Sequence, residues 1–166
     1  MKLWLFVYIG NFLGSIFWAY VMYTTTLTAN AGGPSAFGNL AIKIAEGKVA
    51  YGSIEGIMAF WKPFVSGIAC NLLVNVAILL SFSSKSMIGK FFGIWFPIMA
   101  FVSSGFEHCV ANMYFIPAGI FCGANVTWGQ FFVNNLIPVT LGNIVGGFFF
   151  IGVIYFISFK DELPTE

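Results

Sequence analysis

Gly105-Phe106-Glu107-His108-Cys109-Val110-Ala111-Asn112-Met113 is the stretch whose reading decides the fold. It holds the only histidine of the chain and the only acidic residue inside an apolar span. Apolar sequence runs up to it from Phe91 to Phe101 and away from it from Met113 to Ile120. Phe91 to Ile120 is roughly 30 residues, too long for one straight crossing of a hydrocarbon core about 30 Å thick at about 1.5 Å per residue. Pro97, Gly105, Pro117 and Gly119 interrupt it. The pattern predicts a broken span: one half-helix, a non-helical crossing, then a second half-helix. Irregular backbone survives at membrane depth only where it is buried in protein or lines a cavity. Broken helices of this kind mark substrate sites in transporters, and an intramembrane ionisable residue is a functional candidate by default.

The composition agrees. The chain has 166 residues, of which 59% are hydrophobic, 19% aromatic and 8% charged, with a mean hydropathy of +0.91. Soluble domains carry about 25% charged residues, so the expectation is an all-α polytopic membrane protein whose main partner is the lipid bilayer. A net charge of +1 without a basic run argues against nucleic acid. Cys70, Cys109 and Cys122 lack CxxC spacing and read as buried small hydrophobes. One histidine excludes a bis-histidine haem within the chain and argues against a metal cage, so neither cofactor nor metal is expected. The absence of paired acids, of a serine–lysine pair and of GxSxG argues against an intramembrane enzyme.

About four membrane-spanning segments follow in a single transmembrane domain over residues 1–166. The first is about 3–23, the second about 60–82, the broken one 91–120 and the last about 137–159. Residues 24–57 form a connection with a breaker at Ala31-Gly32-Gly33-Pro34. A short amphipathic helix around Phe37 to Ala45 either lies along the interface or packs on the bundle. Phe131 to Leu136 reads as a short interfacial segment, with Pro138 near the start of the last span. Asn71 and Asn75 share one face of the second span. Lys2, Lys85, Lys90 and Lys160 lie on one side of the membrane if the spans alternate, and Lys43, Lys48 and Lys62 on the other. The first group sits close to span ends, which puts it, and the C-terminus, in the cytoplasm.

Gly-Asn-x-x-Gly occurs twice, as Gly10, Asn11 and Gly14 in the first span and as Gly142, Asn143 and Gly146 in the last. Glycines four apart let a neighbouring backbone approach. The two spans run in opposite directions, as an inverted-topology repeat requires. If the last span is the third of a three-span repeat, the first is the third of an earlier one. Two upstream spans are then expected beyond this sequence.

These residues carry a resemblance. Val7 to Gly14, Gly67 to Val74, Phe101 to Met113 and Asn135 to Gly147 resemble, in order, the formate/nitrite transporter family. The Phe-Glu-His-x-Val-Ala-Asn-Met stretch is highly specific to it. The resemblance implies a partial inverted-repeat, aquaporin-like channel fold, matching the third to sixth spans of a six-span protein. It implies small monovalent anions as substrates, of the formate and nitrite class with hydrosulfide or acetate also open. It further implies a homopentamer in the plasma membrane of a prokaryote, no enzymatic activity, and an upstream two-span segment as a possible partner. The alternative is a non-conducting fragment that acts only as a structural subunit.

The resemblance also implies roles. His108 faces the pore and hydrogen-bonds or protonates the anion, and in an apolar pore a neutral imidazole is expected unless an anion stands beside it. Asn71 and Asn143 flank it as amide donors, with interhelical hydrogen bonding as the other reading. Phe101 and Val74 form the cytoplasmic-side constriction. Glu107 ties down the loop or a subunit contact, since a carboxylate lining the pore would repel an anion. Asn112 satisfies backbone groups freed by the loop. Gly10, Asn11, Gly14, Gly142 and Gly146 serve helix packing. The family's vestibule lysine receives no residue here, with Lys48 and Lys62 both open.

Overall fold

The computed structural model describes residues 2–160. The charged tail after Lys160, and with it the end expected in the cytoplasm, lies outside the described residues. Among the described residues every regular element is helical, and the only strand-like pairing is an isolated bridge between Thr28 and Pro34.

Helix α1 is Lys2–Met22 and runs on through a π-helical turn, Tyr23–Leu27. Helices α2, α3, α4 and α5 are Ala36–Val49, Met58–Ser83, Met87–Ser103 and Cys109–Phe121. Helix α6 is the run Trp128–Phe159, with π-helical turns at Phe131–Leu136 and Phe148–Val153. Helix α1 with its π turn, α3 and α6 are long and apolar enough to cross a membrane. The shorter apolar helices α4 and α5 are joined by residues 104–108.

Helix α6 begins earlier than the sequence suggests. Thr127 opens it with a capping box: Thr127 Oγ1 accepts from Gln130 N at 3.2 Å, and Gln130 Oε1 accepts from Thr127 N at 2.8 Å. Phe131 to Leu136 is thus part of the helix. Pro138 lacks an N–H and sits just after the π turn, where the hydrogen-bond ladder already shifts by one residue.

The chain packs as two compact units. The first comprises Met1–Pro63 and Cys109–Pro138. In it α5 lies against α1 and α2. Ala19, Leu27, Ala118 and Cys122 form its core, with Tyr23, Ile42, Tyr114 and Phe121 packed around them. Gly119 sets the α2–α5 approach, because a Cβ there would collide with Ala45 Cβ and lie 2.6 Å from Ala41 O. Helix α2 therefore packs on a helix instead of lying free at the interface. Ser35 caps its start, with Gly38 N donating to Ser35 Oγ at 3.2 Å. Leu3, Trp4, Phe6, Leu13 and Phe17 of α1 stay exposed, a surface suited to lipid and not to water.

The second unit comprises Phe64–His108 and Val139–Glu166. Here α3 and α6 cross through glycines. A Cβ on Gly142 would collide with Phe64 O, one on Gly146 with Ile68 O, and one on Gly67 would lie 2.8 Å from Val139 O. Small residues are the usual means of close helix contact in lipid, where apolar side chains gain nothing by leaving the solvent. Ser86 caps α4 by accepting from Gly89 N at 3.0 Å.

Candidate functional site

Helix α4 stops because of Gly105. Gly105 has φ +69, and the Gly105 N–H donates to Val102 O at 3.1 Å while the Phe106 N–H donates to Phe101 O at 3.1 Å. This is a Schellman closure with glycine in the left-handed position. The same device ends α5, where Gly123 has φ +98, Gly123 N donates to Ile120 O at 3.0 Å and Ala124 N to Gly119 O at 2.9 Å. Each half-helix carries its own stop signal.

Between α4 and α5 the backbone is irregular and its polar groups need partners from elsewhere. Ser66 Oγ on α3 accepts from Glu107 N at 3.0 Å. Asn143 Nδ2 on α6 donates to Glu107 O at 3.0 Å and to Gly67 O at 2.8 Å. Both backbone polar groups of Glu107 are therefore held by side chains of other helices. The carbonyl of Glu107 belongs to the peptide that leads into His108, so the backbone presenting the imidazole is anchored. Glu107 is 3% exposed and Asn143 6%.

His108 is half-buried and immediately precedes Cys109, the first residue of α5. The partial positive charge of a helix amino end lies there. The Phe101 ring stands 5.9 Å from the imidazole, centroid to centroid. Asn71 Nδ2 donates to Asn143 O at 2.6 Å, and Asn75 Nδ2 to Asn71 O at 2.8 Å. Gly147 leaves room for both amides, since a Cβ there would lie 2.8 Å from Asn71 Nδ2 and 3.1 Å from Asn75 Nδ2. Val74, half-buried, lies on the same helix one turn beyond.

The second unit thus contains Asn71, Val74, Phe101, Glu107, His108 and Asn143 together. Asn112, Gly10, Asn11 and Gly14 belong to the first. Asn112 lies inside α5, where its Nδ2 donates to Asn135 Oδ1 at 2.8 Å. Gly10 and Gly14 have nothing within 4 Å of a built Cβ, unlike their repeat mates Gly142 and Gly146. Among the described residues no group of three or more His, Cys, Asp and Glu side chains could hold a metal ion.

The sequence profile of the family described as "Formate/nitrite transporter" matches residues 1–157. The chain belongs to the formate/nitrite transporter family. It is 47% identical to a protein named as a probable formate transporter from Methanothermobacter thermautotrophicus, over 96% of this chain and 59% of the relative. It is 40% identical to the formate channel FocA of Haemophilus influenzae, over 90% of this chain and 56% of that protein. A solved pentameric formate channel with formate bound superposes with a TM-score of 0.78 at 36% identity, covering 95% of this chain and 65% of the other. The chain therefore spans less than two thirds of the length of these relatives. Family membership makes this a chain of the transporter class, not an enzyme, and with three helices of membrane length it is a multi-pass membrane protein.

Within the family stretch, sequence reasoning overlooked Ser66 and Asn135. Both were legible in kind, as hydrogen-bonding side chains within or beside apolar segments. Their partners lie 41 and 23 residues away in the chain, which spacing does not reveal.

Proposed function

We propose that this chain contributes to a membrane channel for small monovalent anions of the formate and nitrite class. The observation that carries the reading is the double anchorage of the Glu107 backbone by Ser66 and Asn143, directly before His108 in the chain. A neutral imidazole there donates a hydrogen bond to a passing anion; an imidazole that has taken up a proton from water passes that proton to the anion, returns to neutral and releases the neutral acid, beside the favourable field of a helix amino end. Phe101 supplies an apolar wall against the imidazole, and Val74 belongs to the same constriction. Apolar constrictions hinder hydrated ions. Asn71 uses one amide N–H on Asn143 O and keeps the other for an anion. Asn143 acts through the loop, because its two N–H groups point at Gly67 O and Glu107 O. Glu107 is kept buried, away from the anion it would repel. Hydrosulfide and acetate share the charge of formate and are further substrates of this reading.

The assembly is a homopentamer in the plasma membrane of a prokaryote, with the lysines near span ends and the C-terminus on the cytoplasmic side. The relation of α1 to α6 supports a further partner. Gly142 and Gly146 seat the backbone of α3, and Asn143 reaches carbonyls beside them. The matching face of α1, with Gly10, Gly14 and the exposed Asn11, is open. A two-span membrane segment, joined to this chain or separate, is the partner for that face. The same open face favours the second reading, a structural subunit that does not conduct by itself.

Formate flux in proteoliposomes tests both. The chain is reconstituted alone and with a two-span segment from a relative, each against His108→Phe. Flux that disappears in His108→Phe supports the histidine's role, and flux unchanged by that substitution overturns it. Flux that requires the added segment supports the partner on α1. Absence of flux in both preparations favours the structural subunit.

A further inference from the structure

Asn135, which is fully buried, sits where three elements meet within the first unit. Its Oδ1 accepts from Asn112 Nδ2 at 2.8 Å, and its Nδ2 donates to Lys48 O at 2.8 Å. Lys48 O lies in the last turn of α2, where a helix runs out of its own donors. The neighbouring Asn134 Nδ2 reaches Val49 O at 3.5 Å. Gly52 makes room for it, since a Cβ there would lie 2.6 Å from Asn134 Cγ. Both asparagines stand in the π turn of α6.

Helix α5 is thereby tied to α2 twice. One tie is Gly119, seated on Ala41 and Ala45. The other is Asn112, linked through Asn135 to Lys48 O. Asn112 and Gly119 are seven residues apart, two turns along one face of α5. Neither rotation nor sliding of α5 keeps both ties. Asn112 lies in the first turn, three residues after Cys109, and His108 is the residue before that turn.

We infer that Asn135 is a positioning residue: by holding Asn112 and the carboxyl end of α2 in one buried amide, it sets where α5 begins, at the residue directly after His108 in the chain. The transport consequence rests on the function proposed above, whereas the positional claim does not. Loss of the Asn112–Asn135 bond lets the amino end of α5 open about tenfold more often, as expected when a buried hydrogen bond is removed.

The chain has a single histidine, so 15N-histidine labelling of a preparation with a histidine-free tag gives an imidazole spectrum of His108 alone. Solid-state NMR in lipid is recorded for the parent, Asn135→Leu, Asn134→Leu and Asn112→Ala. The expected result is a shifted or multiplied imidazole signal in Asn135→Leu and Asn112→Ala, and a parent spectrum in Asn134→Leu, whose bond to Val49 O does not involve α5. In flux measurements Asn135→Leu lowers the maximal formate rate by about tenfold. A parent-like imidazole spectrum in folded Asn135→Leu overturns the proposal. If Asn135→Leu does not fold, Asn112→Ala decides the matter, because it leaves the Asn135–Lys48 bond in place. A parent spectrum there overturns the proposal equally. Should His108→Phe leave flux unchanged, the histidine's transport role fails while the imidazole spectra still judge Asn135.

Discussion

Replacing Asn143 by leucine tests the anchorage of the histidine loop. The substitution roughly conserves side-chain volume and removes two N–H donors, those to Gly67 O at 2.8 Å and Glu107 O at 3.0 Å. Gly67 O lies inside α3 and keeps the helix bond of its own turn, so its loss is about 1 kcal/mol. Glu107 O lies in irregular backbone and is 36 residues away in sequence. A buried acceptor deprived of its donor costs about 1–3 kcal/mol, so Asn143→Leu should destabilise the chain by about 2–4 kcal/mol. The measurement is unfolding by SDS in mixed micelles, followed by far-UV circular dichroism. Ser66→Ala removes the bond to the other backbone group of the same residue, Glu107 N to Ser66 Oγ at 3.0 Å, and should cost about 1 kcal/mol. Because the two side chains hold the two backbone groups of one residue, the double variant should depart from additivity by at least about 0.5 kcal/mol. A loss below about 0.5 kcal/mol for Asn143→Leu, the range of an ordinary surface substitution, would refute the claim that this amide holds the loop.

The two copies of the glycine motif should respond differently. Gly142→Ala drives a Cβ into Phe64 O and should cost about 1–3 kcal/mol, while Gly10→Ala, with nothing within 4 Å, should leave SDS unfolding of the isolated chain unchanged. In pull-downs with a two-span segment, Gly10→Leu should then reduce recovery of the complex. Gly119→Ala meets Ala45 Cβ and Ala41 O and should destabilise the first unit by about 1–3 kcal/mol, read as faster protease cleavage after Lys43 or Lys48. Gly105→Ala meets no neighbour and should cost only the left-handed backbone penalty, about 1–2 kcal/mol, measured by the same SDS titration.

The candidate residues were legible because the bilayer makes polar residues conspicuous. Glu107 and His108 stand out in apolar sequence, and Gly105 followed by a change of pattern marks a helix stop. The paired Gly-Asn-x-x-Gly motifs pointed to close helix contact, which Gly142 and Gly146 make with the backbone of α3. The extent of the last helix was less legible. Phe131 to Leu136 precedes a proline and looks like a separate piece, yet a π turn carries the helix through it. Widening a helical turn is a backbone response to packing and to the missing proline N–H, and no residue type announces it.

Sequence alone determined that this is a helical membrane chain whose apolar run from Phe91 to Ile120 is interrupted beside an imidazole. Hydrocarbon leaves backbone polar groups no solvent, so length, apolar composition and the breakers suffice to predict helices and a break. What each asparagine does was decided only by the tertiary structure. Asn71, Asn112, Asn134, Asn135 and Asn143 carry the same amide, with two donors and one acceptor. Asn143 holds the histidine loop, Asn135 joins α2 to α5, and Asn134 reaches the end of α2, because of hydrogen-bond partners that folding brings to between 2.8 and 3.5 Å from 23 to 87 residues away. An amide's role follows from the partner it finds, and that partner is a property of packing.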